Sequence, residues 1–151
     1  MKSSLAIAAG LLALAAVGCS EPPQTNRMEA YLTGLQDIHV WDKDTMAKGV
    51  PSFDAVMGWG PEIWPALIAR LVDDTPTKIY DDMSGRTPKV SDLAFLMLLE
   101  LFHKKWQDFA DDGVFVSKAL PNPVLCIKWD RAVKLKVKAR FAQILAQETP
   151  P

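Results

Sequence analysis

"VSDLAFLMLLELF", residues 90–102, decides the fold. From Leu93 to Phe102 only Glu100 carries a charge. A helix that is apolar nearly all round has to be buried against other elements. Ten residues are too few to cross a bilayer, which needs about 20. The stretch therefore predicts a buried helix. Ser91 stands where a helix cap is expected, with Val90 before it and Phe95 after it as a hydrophobic staple. Asp92 suits the first turn and Lys104 and Lys105 the last, because they oppose the helix macrodipole.

Upstream, Ile63, Trp64, Leu67, Ile68, Leu71 and Val72 fall at i, i+1, i+4, i+5, i+8 and i+9. That spacing gives one apolar stripe on a second helix. Pro65 fits if Glu62 caps the helix, since a missing N–H costs little in the first turn. Between the two helices, residues 73–90 hold two prolines, a glycine and four aspartates and predict a long loop. Nearer the start, Asn26 and Glu29 form a capping-box pair ahead of Met28, Leu32 and Leu35. Gly34 weakens the end of that helix by about 1 kcal/mol relative to Ala. Asp37 to Pro51 is polar and mixed, and Ser52–Met57 has room for one or two helical turns closed by Gly58.

Downstream, Val114–Val116 and Val124–Ile127 predict short strands or buried turns around Pro121-Asn122-Pro123. In the last segment Val133, Leu135 and Val137 alternate with lysines, which suits a strand. Val133, Val137, Phe141, Ile144 and Leu145 also fit a helical stripe, and Asp130 is a good cap. The reading adopted is one helix over about 131–147. The fold class is then all-α, one small helical domain over residues 27–151.

The first residues read as an address. Met1-Lys2-Ser3-Ser4 is followed by thirteen uncharged residues, Leu5 to Val17. A positive start, an apolar stretch and a small-residue exit predict a signal peptide over residues 1–18. Ala16-Val17-Gly18-Cys19 resembles the lipobox of bacterial lipoproteins, although Ala16 stands where Leu is commonest. That resemblance implies several acyl chains on Cys19, hence stable membrane anchoring, since one chain alone anchors marginally. Ser20 rather than Asp resembles the signal for export to the outer membrane, facing the periplasm. Residues 19–26, with two prolines, read as a tether.

Without residues 1–18 the chain has 133 residues, enough for a real core. Sixteen basic residues then face 18 acidic ones, a net charge of −2 that argues against a nucleic-acid partner. If Cys19 is lipidated, Cys126 is the only thiol left; if it is not, a Cys19–Cys126 bridge is open.

Residues 58–102, with "PALIARLVDD" and then Val90, Leu93, Ala94 and Leu98, resemble a HEAT-type helical hairpin. The resemblance implies a binding scaffold. A true array needs about three stacked units, and one pair is visible.

The spacings of nucleophile elbows, zinc peptidases and phosphate loops are missing from the chain. His39, in "DIHVWDKD", could join Asp37, Asp42 or Asp44 in a metal or acid–base site, but a plain loop histidine is the favoured reading. His103 reads as a C-terminal capping residue. Asp73-Asp74 and Asp81-Asp82 lack calcium-loop spacing and read as solvated loop acids. Cys126 reads as a small buried hydrophobe. The tryptophans at 41, 59, 64, 106 and 129 read as closing the ends of a small core, with interface hot spots as the sharper alternative. Arg131, Lys134, Lys136, Lys138 and Arg140 read as a solvated helix surface, with contact to anionic lipid or an acidic partner as the alternative.

The expectation is an envelope lipoprotein anchored through Cys19, without cofactor, metal or catalysis, whose domain binds another protein through residues the sequence does not assign. A specific version is an immunity protein against a toxin delivered to the periplasm. The rival classes are a small periplasmic enzyme built around His39 and a structural envelope protein with weak partners.

Overall fold

The computed structural model describes residues 24–42, 46–80, 85–117, 124 and 127–148. Expectations placed on residues 1–23, Asp44, Asp81-Asp82 and Cys126 lie outside these residues. The described chain is mostly helical: a small all-α domain with one two-stranded ribbon. Helix α1 is Gln24–Gly34, followed by a 3-10 turn at Leu35–Asp37. It starts two residues before Asn26, which therefore lies in the first turn and not at the cap. Helix α2 is Pro51–Gly58, with Pro51 opening it where no N–H is needed. Gly34 lies where α1 meets α2, and a side chain there would run into that of Ser52.

The second predicted helix is present but uneven. A 3-10 turn at Pro61–Ile63 leads into α3, Trp64–Ala69, and another at Arg70–Val72 closes it. Pro65 falls in the first turn of α3, where its ring is tolerated. The tighter winding before it lets the helical path start at Pro61 and still place Pro65 at an α-helical entry. Ile63, Leu67, Ile68 and Leu71 are buried, as the stripe requires.

Helix α4 is Val90–Leu101, and every residue from Val90 to Leu99 is buried. It packs against α3, the Arg70–Val72 turn and the Leu35–Asp37 turn. The α3–α4 pairing is compatible with a HEAT-type hairpin. The connection between them is not a free loop: Ser91 N–H donates to Asp73 O at 3.0 Å, Val90 N–H to Thr75 O at 2.9 Å, and Thr77 N–H to Pro88 O at 2.9 Å. Residues 73–77 and 88–91 thus zip the base of the loop together. The cap also differs from expectation. Helix α4 starts one residue early, so Ser91 is inside it, and Asp92 Oδ2 accepts from Lys89 N–H at 2.9 Å instead.

A long 3-10 helix, Trp106–Asp112, precedes an antiparallel ribbon, β1 (Phe115–Val116) with β2 (Ile127–Lys128). Helix α5 is Arg131–Glu148, and Asp130 Oδ1 accepts from Val133 N–H at 2.9 Å as its cap. Val137 and Phe141 are fully buried, so the helical reading of this segment holds over the strand pattern. Phe141 stacks on Phe109 with centroids 4.7 Å apart and meets Phe95 and Phe102 at 6.3 and 5.8 Å. Trp64 lies on Phe102 at 4.9 Å, Trp129 on Phe95 at 4.9 Å, and Trp41 on Phe53 at 5.8 Å. Trp59 meets Tyr31 at 5.8 Å. Four of the five tryptophans therefore close the core against another aromatic ring, the reading favoured from sequence, and Trp106 is half-buried.

Helix α4 ends in a Schellman motif. His103 N–H donates to Glu100 O at 3.2 Å and Lys104 N–H to Leu99 O at 2.8 Å. The motif needs a left-handed residue, and His103 supplies it with φ 50°. His103 does close the helix, through its backbone. Gly113 does the same for the 3-10 helix with φ 100°, and a Cβ there would meet Val133 Cγ2 at 3.0 Å. His103→Gly should stabilise the domain by about 0.5–1 kcal/mol by releasing the left-handed strain. Gly113→Ala should destabilise it by about 1–2 kcal/mol for the opposite reason. Thermal melts of both variants check the pair; a lower melting temperature for His103→Gly would show that the imidazole holds something of its own.

Candidate functional site

The most concentrated chemistry lies where the first turn of α5 meets the N-terminal end of α4. Lys134, expected on a solvated surface, is buried, with a side chain 4% exposed. The correction has a geometric cause. Lys134 lies at i−3 and i−7 from Val137 and Phe141, and so falls on the inward stripe of α5. Its ammonium is not left bare. Nζ donates to Asp74 Oδ1 at 2.6 Å and to Ser91 Oγ at 2.8 Å, and lies 5.6 Å from the Trp129 ring centroid. A buried charge is tolerated when paired and hydrogen-bonded in this way.

Asp74 is the hub. Lys89 Nζ reaches the same oxygen at 3.0 Å, and Arg131 Nη1 stands 3.9 Å from the other. The hydrogen bond from Lys134, followed by that from Lys89, holds the Asp74 carboxyl down to about 2 from its ordinary 3.8. Next to it, burial raises the Asp73 carboxyl, but hydrogen bonds from Thr75 and Arg70 outweigh this and leave it below its ordinary value. Behind Lys134 sits Asp92, also buried. It accepts from Trp129 Nε1 at 2.7 Å and Lys89 N–H at 2.9 Å, with Arg86 Nη2 at 3.4 Å. The pair expected as solvated loop acids, Asp73-Asp74, is thus an ion-pairing element, because the zipped loop base turns both residues toward α5 and Arg70.

A serine beside a lysine can suggest a nucleophile and its base. Here Ser91 is 0% exposed and Lys134 Nζ is committed to Asp74, so no substrate carbonyl can reach the hydroxyl. The arrangement works as a latch.

His39 is exposed on the segment after the Leu35–Asp37 turn. Asp37 faces Lys78 at 2.7 Å, and Asp42 exchanges backbone hydrogen bonds with Met46. Among the described residues no three His, Cys, Asp or Glu side chains gather as a metal site. The remaining basic residues of α5 divide: Arg140 binds Asp112 at 2.7 Å over the Phe109 ring, while Arg131 and Lys136 are exposed.

Two clefts stand out on the surface of the described residues. One, of about 320 Å³, lies beside Arg70, whose guanidinium is taken by Glu29 and by Asp73 at 2.9 Å. The other, of about 520 Å³, lies between the Trp106–Asp112 helix and the C-terminal half of α5. Its walls are Lys104, Asp108, Phe109, Arg140, Gln143 and Ile144, with Gln147 at the end. The sequence reading missed this cleft, since its walls come from segments about 40 residues apart.

Asp74→Asn leaves the Lys134 ammonium buried with a neutral partner and should cost about 2–3 kcal/mol. Lys134→Met leaves only the half-exposed Asp74 behind and should cost less, about 1 kcal/mol. A carboxyl held below its unfolded value contributes stability above that value. This contribution should fade as pH falls from about 4 towards 2. Urea titrations across pH 2–6 read all three effects, and Asp74→Asn should flatten that part of the profile.

Set against family models, curated proteins and solved structures, the chain gives no match.

Proposed function

We propose that this chain is an envelope lipoprotein, anchored through Cys19, whose helical domain binds another protein without catalysing a reaction. The observation that carries the reading is the run from Leu5 to Ala16-Val17-Gly18-Cys19, an apolar stretch ending in a lipobox-like cysteine. The described domain supports it in two ways. No helix among the described residues is long and apolar enough to cross a membrane, and acyl chains on Cys19 would attach the domain without one. The domain's densest charge cluster also binds its own elements together, with Lys134 held by Asp74 and Ser91, and Asp92 held by Trp129 and the Lys89 N–H. Such a network fixes a shape, which suits a surface that recognises a partner. The enzymatic rival places turnover on His39, but Asp37 is drawn off to Lys78.

The test has two parts. Cells fed radiolabelled palmitate should label the wild type in the membrane fraction and leave Cys19→Ala unlabelled. Affinity capture from gently solubilised membranes should then recover a stoichiometric partner with the wild type. A secreted toxin as that partner would single out the immunity version. Absence of label would sink the anchor, and absence of any partner even after chemical cross-linking would sink the binding role.

A further inference from the structure

We propose that the cleft between the Trp106–Asp112 helix and α5 binds an extended segment of the partner protein that carries one carboxylate side chain, with Lys104 pairing to that carboxylate. The inference rests on the protein-binding reading and adds the chemistry of the partner.

Lys104 is held in place by its own backbone. The left-handed turn at His103 and the Lys104 N–H bond to Leu99 O at 2.8 Å fix where its side chain leaves the chain. Its ammonium has no carboxylate within 4 Å among the described residues. The other charges of the cleft are already engaged. Arg140 is bound to Asp112 at 2.7 Å, and Asp108 Oδ2 accepts from Lys105 N–H at 2.9 Å. Lys104 is thus the cation of this cleft left for an incoming anion.

The wall beside it selects the kind of anion. Gln143 and Gln147 stand one turn apart on α5 and line the cleft together. Their carboxamides make no hydrogen bond within the described residues. Each offers an N–H donor and a C=O acceptor, the complement of a peptide group. Phe109 and Ile144 supply an apolar floor for a side-chain stem. A carboxylate brings one charge where a phosphate dianion brings two, so the Asp108 carboxylate in the wall repels it less. The cleft's volume of about 520 Å³ is in the range of sites that hold a small ligand or a short peptide segment.

The probe is acetyl-Ala-Glu-Ala-amide, titrated into the full-length protein in detergent with its glutamines labelled by nitrogen-15. Acetyl-Ala-Gln-Ala-amide and inorganic phosphate are the comparison ligands. The side-chain signals of Gln143 and Gln147 should shift and saturate with the Glu peptide, at a Kd on the order of 1 mM. The Gln peptide should bind about fivefold more weakly, and Lys104→Gln should lower affinity for the Glu peptide by a similar factor. Lys136→Gln, which removes the same charge from an exposed position outside the cleft, should leave binding unchanged. Because the Lys104 side chain makes no bond in the fold, Lys104→Gln loses only its favourable place at the C-terminal end of α4 and should melt within about 1–3 °C of the wild type. Equal affinities for the Glu and Gln peptides, phosphate binding as tight as the Glu peptide, or no effect of Lys104→Gln would overturn the assignment. If Lys104→Gln captures the partner from membranes as well as the wild type does, this assignment falls while the protein-binding reading stands. If the wild type captures no partner, the reading itself falls.

Discussion

One buried ammonium organises the domain. Lys134 comes from α5, Asp74 from the chain after α3, and Ser91 from the first turn of α4, so three elements meet at a single nitrogen. The partners are 60 and 43 residues away in sequence. A charge that far inside is tolerated only when its donors are matched, so α5 cannot dock in another register without stranding it. Aromatic packing alone would be more permissive, since Phe95, Phe102, Phe109 and Phe141 could slide against one another at modest cost. Hydrophobic burial drives the helices together; the lysine selects which arrangement they keep.

Much of this was legible in the sequence, for reasons that can be named. Helix α4 announced itself because ten nearly uncharged residues leave no solvated face. Helix α5 was found because Val137, Phe141 and a capping Asp130 outweigh the short Val-Lys alternation. The uneven winding around Pro65 was half visible, since the proline fixed its own position but not the 3-10 turns on either side. Lys134 was misread because its neighbours Arg131, Lys136 and Lys138 made the whole run look wet. Its spacing to Val137 and Phe141 was the available signal. Ser91 was read as a cap from its type, whereas the structure gives that work to Asp92, one residue on. Nothing local could have shown that Trp129 and Arg86 converge on the same carboxylate, because that depends on how the loop and the ribbon fold back.

The division of charge separates structure from surface. Asp73, Asp74, Asp92 and Asp112 are each spent on a basic partner inside the domain. Lys104 and Lys136 are not. A net charge near zero for the whole chain therefore conceals a set of paired charges that hold the elements together and a surface on which Lys104 and Lys136 stand among acids such as Glu62, Glu100 and Asp111. Recognition by such a face depends on geometry more than on total charge, because solvent and salt screen each lone cation. A concave wall with two carboxamides one helical turn apart adds the direction that a bare lysine lacks.

Helix α5 carries both features. Its inward face holds Lys134 near the N-terminal end, and its C-terminal half presents Gln143 and Gln147 to the cleft. Ten or so residues of helix separate them, about 15 Å along the axis. A helix transmits axial position rigidly over that length. The latch at Asp74 therefore sets where the two glutamines stand relative to Lys104, which belongs to the turn after α4. The same contact that specifies the fold also fixes the spacing of the cleft's two walls. A change that loosens the latch would widen or slide the cleft without touching any residue that lines it, so the geometry of the cleft and the stability of the domain are coupled through the Lys134–Asp74 pair.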